Sequence, residues 1–365
     1  MDTGFNTPEW IPESYDKEVT GKVSTGSAEQ GPMQKKINKR YNYNIAELFE
    51  GILNKNTTIL SKAITLIESN SPKHIELSQQ LLKNILPYTG QSIRVGITGS
   101  PGSGKSTFIE SLGNYLIDQG NRVAVLAVDP SSIITGGSIL GDKTRMEILS
   151  GRQEAYIRPS PSSGTLGGVA KKTRETILLC EAAGYNIILI ETVGVGQSEV
   201  TVRSLVDIFL LLLIPGSGDE LQGIKKGVVE LSDLLFVNKC DGELKDKALL
   251  TKVSYSSALK LLQSPTENWK PKVLMGSALN NDGIDKVWNQ IMKFTEITKG
   301  KLTFEKRRQA QSIEWIYTLL QEYINNKYIN NRQYISDKKY IENELLNNMI
   351  TPTEAVDKLI TLMKI

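Results

Sequence analysis

Histidine is almost missing from this chain: His74 is the single one in 365 residues, and cysteine is confined to Cys180 and Cys240. Nickel and zinc carriers hold their ion with clustered His and Cys side chains, so a metal-cargo role has no ligand set here. The two cysteines stand sixty positions apart. Each lies in or beside an apolar stretch, which points to reduced, buried thiols and a cytoplasmic setting, not to a disulfide framework. Long apolar runs are lacking as well. The longest, 208–214, is far below the roughly 20 residues that a membrane helix needs, and no membrane association is expected. Net charge is small: 43 basic against 40 acidic side chains leave +3, too little for the electrostatic footprint of a nucleic-acid binder. The first forty residues carry neither an apolar signal core nor an Arg-rich amphipathic pattern. Asp2, Glu9, Glu13, Asp16 and Glu18 stand there among Gly, Ser, Thr and Pro, a composition that predicts a mobile arm over 1–40.

What the chain does have is regular alternation. Over 41–90, Ile45, Leu48, Phe49, Ile52 and Leu53, then Ile59, Leu60, Ala63, Ile64 and Ile67, recur at three- and four-residue spacing, and a third helical stretch runs over 74–86 before Pro87. This is a helical extension. Short apolar runs follow at 93–98, 122–128, 187–190, 208–214, 234–237 and 272–275, each ending in a polar or glycine-rich loop, with helical stretches between them. Such alternation predicts an α/β core over 91–299: a mostly parallel sheet covered by helices on both faces, with ligands at the carboxyl ends of the strands. After Gly300 the strands stop. Ile313, Ile316, Tyr317, Leu320 and Ile324 mark one helix face within a C-terminal helical arm over 300–365. Thr351-Pro352-Thr353-Glu354 has the spacing of a capping box with Pro at the first helical position. The arm could pack on the parent domain or join two copies of the chain.

Two motifs carry the chemistry. Gly99-Ser100-Pro101-Gly102-Ser103-Gly104-Lys105-Ser106 is a complete phosphate-binding loop between a strand and a helix. Its glycines let the backbone bend around phosphate, so that consecutive amides and the next helix's N-terminus point at the anion. Lys105 is expected to bridge the β- and γ-phosphates, Ser106 to offer its hydroxyl to Mg2+, and Thr107 to reach the α-phosphate. Downstream, Asn238-Lys239-Cys240-Asp241 follows the apolar run 234–237. The Asp241 carboxylate can accept both N1–H and the 2-amino group of guanine, a donor pair that adenine does not offer. A buried carboxylate left unpaired is costly, which is how such a site rejects the wrong base. Ser277-Ala278-Leu279, after 272–275, fits a loop that backs the base with main-chain amides. The expected ligand is GTP or GDP with Mg2+.

Acidic residues close the remaining strands. Glu191, after 187–190, occupies the position from which Mg2+ and its waters are held. Asp129 and Asp142 lie on a long glycine-rich loop with Gly136, Gly137 and Gly141, suited to closing when a γ-phosphate is present. Val195 follows Gly194, so no Gln stands where many small GTPases orient the attacking water, and Gln197 is displaced. Slow intrinsic hydrolysis, completed by a partner, is the expectation. Arg145 and Arg158 could pair with phosphate or with an acidic partner, or stand solvated on their loops.

Asp129-Pro130-Ser131-Ser132, the segment 136–146 around Asp142, the segment 157–168 and Glu191-Thr192-Val193-Gly194-Val195-Gly196-Gln197-Ser198-Glu199 together resemble the MeaB/ArgK family of GTPases. The likeness runs from about Ile45 to Ile365 and is densest from Gly96 to Leu279. It implies a P-loop GTPase with a helical dimerisation arm, acting as a G-protein chaperone that loads and protects an adenosylcobalamin-dependent acyl-CoA mutase. By the same resemblance Lys105, Ser106, Asp129, Asp142 and Glu191 surround the phosphates and Mg2+. The segment 216–226, with Asp219, Gln222 and Lys225, matches the family's third switch, and homodimers form through the C-terminal helices. An older family name suggests a rival, a GTP- or ATP-dependent small-molecule kinase linked to amino-acid transport. The guanine motif argues against that rival.

Overall fold

The computed structural model describes residues 43–128, 146–159, 166–192, 198–216, 226–325, 327 and 332–362. Contacts divide the chain after Asn42, and the unit that begins at Tyr43 is the one described. It opens with three helices, α1 (Ile45–Leu53), α2 (Thr57–Glu68) and α3 (Pro72–Ile85). Asn44 and Asn56 cap the first two, each side-chain oxygen accepting from two backbone N–H groups of the opening turn. Pro72 starts the third, where its missing N–H costs nothing.

The core follows as β1 (Ile93–Gly99), α4 (Lys105–Asp118), β2 (Val123–Val128), the single turn α5 (Glu147–Ser150), β3 (Ala155–Arg158), α6 (Leu166–Ala182) and β4 (Ile187–Thr192). It continues with α7 (Ser198–Arg203), β5 (Ile208–Leu213), α8 (Lys226–Leu231), β6 (Leu234–Val237), α9 (Lys245–Leu259), β7 (Lys272–Met275) and α10 (Ile284–Gly300). The strands pair in the order β3-β2-β4-β1-β5-β6-β7, parallel throughout. All six runs expected as strands are strands. The seventh, β3, was not foreseen: Ala-Tyr-Ile-Arg is four residues long and pairs on one side only, with β2.

Side chains alternate across the sheet with period two. Ile188, Ile190, Leu211, Leu213 and Leu235 face one layer, which α6 joins to α1–α3. Ile187, Leu189, Leu210, Leu212 and Phe236 face the other, beneath α4 and α10. Gly96 in β1 has a physical reason: a Cβ there would lie 2.7 Å from the Phe209 ring. Burial on both faces explains the near-continuous apolar sequences of β4, β5 and β6.

Beyond the sheet come α11 (Thr303–Ile324), α12 (Arg332–Leu346) and α13 (Pro352–Leu362). The Thr351 hydroxyl accepts from the Glu354 N–H at 3.2 Å, as the capping spacing predicts. α11 meets the amino edge of the sheet through polar groups. Arg308 forks onto the Asp207 carboxylate with both contacts at 2.7 Å, and Gln311 donates to the Val206 carbonyl at 2.8 Å. Arg203 and Arg307 converge on Asp233, which is wholly buried. The apolar stripe read from the sequence is not the face that packs here. Ile313, Ile316, Tyr317 and Leu320 are all at least half exposed, at 50–67%. No helix of the described residues is long and apolar enough to cross a membrane.

Candidate functional site

β1 is flanked by β4 and β5, and its carboxyl end is where the chain turns through 100–104 into α4. Gly102 and Gly104 take φ of 81° and 83°, a left-handed conformation that side chains disfavour. A Cβ on Gly104 would also sit 2.6 Å from Asn238 Nδ2. Two independent constraints therefore require glycine at that position. The loop folds on itself, with the Ser103 N–H donating to the Ser100 carbonyl at 3.1 Å. α4 starts without a side-chain cap, so its first amides face the loop's concavity, the arrangement that binds anions at helix N-termini.

Lys105 is buried, and its Nζ donates to the Gly99 carbonyl at 3.0 Å and the Ser100 carbonyl at 3.3 Å. The ammonium is held at the loop by its own backbone. A triphosphate entering the loop would exchange these contacts for charge-assisted ones. Ser106 directs its hydroxyl at Glu191 Oε1, 3.5 Å away. Glu191 lies in β4 beside Ile97 of β1, and Thr192 next to it donates to the Thr98 hydroxyl at 2.8 Å. The two strand ends are thus tied where the loop begins. A hydroxyl and a carboxylate are hard oxygen donors, and Mg2+ takes one or two such protein ligands, filling its shell with phosphates and water. The pair fits that ion.

Asn238 joins the phosphate loop to the second motif. Its Nδ2 donates to the Ser103 carbonyl at 2.9 Å, and its Oδ1 accepts from the Ala278 N–H at 2.9 Å. Asn238 and Ala278 are buried. Lys239 takes φ 58°, the Cys240 N–H donates to the Gly276 carbonyl at 3.0 Å, and Asp241 emerges half-buried in extended conformation before a short 3-10 turn. Ser277 and Asp282 exchange backbone hydrogen bonds at 3.1 and 2.9 Å. This closes a tight loop on which Ala278 points inward and Leu279 outward, 75% exposed. Gly276 permits the closure, since a Cβ there would meet the Asp282 carbonyl at 2.2 Å. The Ser111 hydroxyl of α4 donates to the Ala278 carbonyl. Sequence reasoning missed Ser111 and Gly276. Neither belongs to a short motif, and both act through partners distant in sequence.

The structure therefore brings Gly99, Ser100, Pro101, Gly102, Ser103, Gly104, Lys105, Ser106 and Thr107 onto one turn, with Glu191 beside Ser106. It ties Asn238 to Ala278 of the loop Ser277, Ala278 and Leu279, and Cys240, between Lys239 and Asp241, to Gly276 just before that loop. Asp129, Asp142, Gly194, Gln197, Asp219, Gln222, Lys225 and Arg145 lie outside the described residues. Arg158 is half-buried at the end of β3 and forks onto Glu68 of α2, with Nε 3.2 Å from Oε1. Burial disfavours its charge, but the Glu68 carboxylate outweighs this and leaves the guanidinium pKa raised. His74 on α3 sits 2.8 Å from the Ser69 hydroxyl and edge-on to Tyr43. Cys180 is buried and both cysteines are free. Burial pushes both thiols up, so they stay protonated near neutrality.

A parallel sheet carrying a glycine-rich turn into a helix, clamped to a guanine-type motif at the neighbouring strand ends, defines a P-loop GTPase. The profile of the family described as "Methylmalonyl Co-A mutase-associated GTPase MeaB" matches residues 60–333, and the chain belongs to that family. It is 45% identical to the GTPase ArgK of Escherichia coli over 317 residues, 86% of this chain and 95% of that one. It is 44% identical to the mouse mitochondrial "methylmalonic aciduria type A homolog" over 330 residues, 88% of this chain and 80% of that one. Among solved structures, one titled "LAO/AO transport system kinase" superposes with a TM-score of 0.73 at 38% identity. It covers 88% of this chain and 98% of its own.

Proposed function

We propose that this GTPase is a G-protein chaperone of an adenosylcobalamin-dependent acyl-CoA mutase, gating cofactor loading and protecting the mutase through its nucleotide cycle. One observation supports the nucleotide half above all: Asn238 bridges the Ser103 carbonyl and the Ala278 amide. That single side chain makes the phosphate turn and the base loop one pocket. The mutase half rests on the family's description and on the relative named for methylmalonic aciduria.

In this reading the amides of 102–106 and Lys105 hold the β- and γ-phosphates, Thr107 reaches the α-phosphate, and Asp241 reads guanine. Ser106 and Glu191, with Asp129 and Asp142, would hold Mg2+, which supplies charge neutralisation between the β- and γ-phosphates. The segments around Asp142, Gly194–Gln197 and Asp219–Lys225 act as switches that report the γ-phosphate to the mutase. Hydrolysis is slow until that partner completes the site. The divisions are an arm (1–40), a helical extension (41–90), the GTPase core (91–299) and a C-terminal arm (300–365) that joins two copies in the cytoplasm. Exposure of Ile313, Ile316, Tyr317 and Leu320, on a helix whose other side docks on the parent core, supports the dimer.

Affinity measurements with Asp241→Asn test base recognition: preference should relax from GTP toward XTP, and retained GTP preference would defeat it. Lys105→Ala should abolish nucleotide binding or turnover. The partner is tested with a purified adenosylcobalamin-dependent mutase in GDP and non-hydrolysable GTP. State-dependent complex formation and faster hydrolysis are expected, and no complex in either state would overturn the assignment. The solved relative is named as a transport system kinase, which raises a kinase reading. Phosphorylation of arginine or ornithine at a rate comparable to GTP hydrolysis would favour it.

A further inference from the structure

We infer that Ser111, outside both nucleotide motifs, is a positioning residue for guanine recognition. Ser111 lies in α4, the helix that opens with Lys105 and Ser106, two turns beyond the phosphate end. Its hydroxyl donates to the carbonyl of Ala278 at 2.5 Å. The N–H of the same residue donates to Asn238 Oδ1, and Asn238 Nδ2 donates to the Ser103 carbonyl. Starting from Ser103, the hydrogen bonds run through Asn238 and Ala278 to Ser111, and α4 returns the path to the phosphate turn. The base loop is therefore held at both ends of one residue by groups anchored to the phosphate-binding helix.

The consequence is geometric. Ala278 spends both of its peptide groups on this circuit, so the loop's next amide, Leu279 N–H, is the main-chain donor that can face guanine O6. Its direction is set by the orientation of the Ala278–Leu279 peptide plane, since the Ala278 carbonyl and the Leu279 N–H belong to the same planar unit. Ser111 grips that plane by its carbonyl. Losing the hydroxyl leaves that carbonyl with the longer contact it accepts from the Asn281 N–H at 3.4 Å, inside the loop itself, and so loosens the plane's tie to α4 while leaving Lys105, Ser106 and the glycines untouched. Ala278 is 1% exposed, so water is poorly placed to replace the lost donor.

The inference rests on the guanine reading proposed above, and the test separates the two. GDP, IDP and inorganic tripolyphosphate are bound by calorimetry to the full chain and to Ser111→Ala, Ser111→Thr and Asp241→Asn. Inosine keeps the 6-oxo group but lacks the 2-amino group. Ser111→Ala should weaken GDP and IDP alike, by about tenfold, the effect of one buried hydrogen bond, and leave tripolyphosphate unchanged. Ser111→Thr keeps the hydroxyl and should restore both. Asp241→Asn should instead lower the GDP-to-IDP preference. Unchanged GDP and IDP affinity in Ser111→Ala, equal loss of tripolyphosphate, or no rescue by threonine would each overturn the inference. An unchanged preference in Asp241→Asn would count against the base reading alone.

Discussion

At the scale of single residues, Asn238 does more than its motif implies. Within the four-residue pattern, Asn238 spends its amide on the Ser103 carbonyl and the Ala278 N–H. Under the proposed function, Asp241 is the group that reads guanine. Asn238→Ala would strand two backbone groups, each costing about 1–3 kcal/mol when buried without a partner. Nucleotide affinity should fall by at least tenfold for GDP, and calorimetry decides it. Gly104→Ala should be equally damaging for a different reason. Its φ of 83° costs a side chain about 1–2 kcal/mol, and the new Cβ would push Asn238 aside. Weakened GDP binding is expected in both variants, and wild-type affinity in Gly104→Ala would show that the turn can relax without Asn238. These contacts were not legible in sequence, because Ser103 and Asn238 lie 135 positions apart. The motifs were legible because each is a contiguous stretch whose residue types answer to one local demand: glycine for curvature, a carboxylate for paired donors.

Among the elements, period and length decided what could be read. The buried strands announce themselves as apolar runs, since both faces of the sheet are covered. β3 does not. Its four residues are half-buried at both ends and buried only at Tyr156 and Ile157, and it ends in Arg158, whose charge is satisfied by Glu68 of α2. Likewise the apolar stripe of α11 marked a helix correctly but not its docking face, because α11 meets the sheet through Arg307, Arg308 and Gln311 instead. Asp233 is the centre of that contact: it accepts from the Phe209 N–H at 2.9 Å and from Thr266, and it faces Arg203 and Arg307. Asp233→Asn removes the charge while keeping the shape, leaving two guanidinium groups largely buried. Breaking such a pair costs about 3–5 kcal/mol. Thermal unfolding should shift down clearly, and an unchanged midpoint would mean that water compensates these arginines.

For the molecule as a whole, the balance between the two sides of α11 sets the expected assembly. One side is consumed by the sheet edge. The other presents Ile313, Ile316, Tyr317, Leu320 and Tyr323 to solvent, and α12 and α13 add Tyr340, Leu346, Val356 and Ile360, all at least half exposed. Exposed large apolar residues scattered singly are ordinary, but a run along one helix face is the usual mark of an interface. A charge placed in the middle of that stripe should therefore separate the copies without disturbing the nucleotide pocket, which is built at the opposite, carboxyl edge of the strands. Ile316→Glu is the sharpest choice: Ile316 is 63% exposed, so the folded monomer loses little by the change, whereas a dimer would bury an unpaired carboxylate. Light scattering should report a dimer for the native chain and a monomer for the variant, with GDP affinity retained in both. A native chain that is monomeric at all accessible concentrations would remove the dimer from the proposed function and leave the stripe for the mutase to cover.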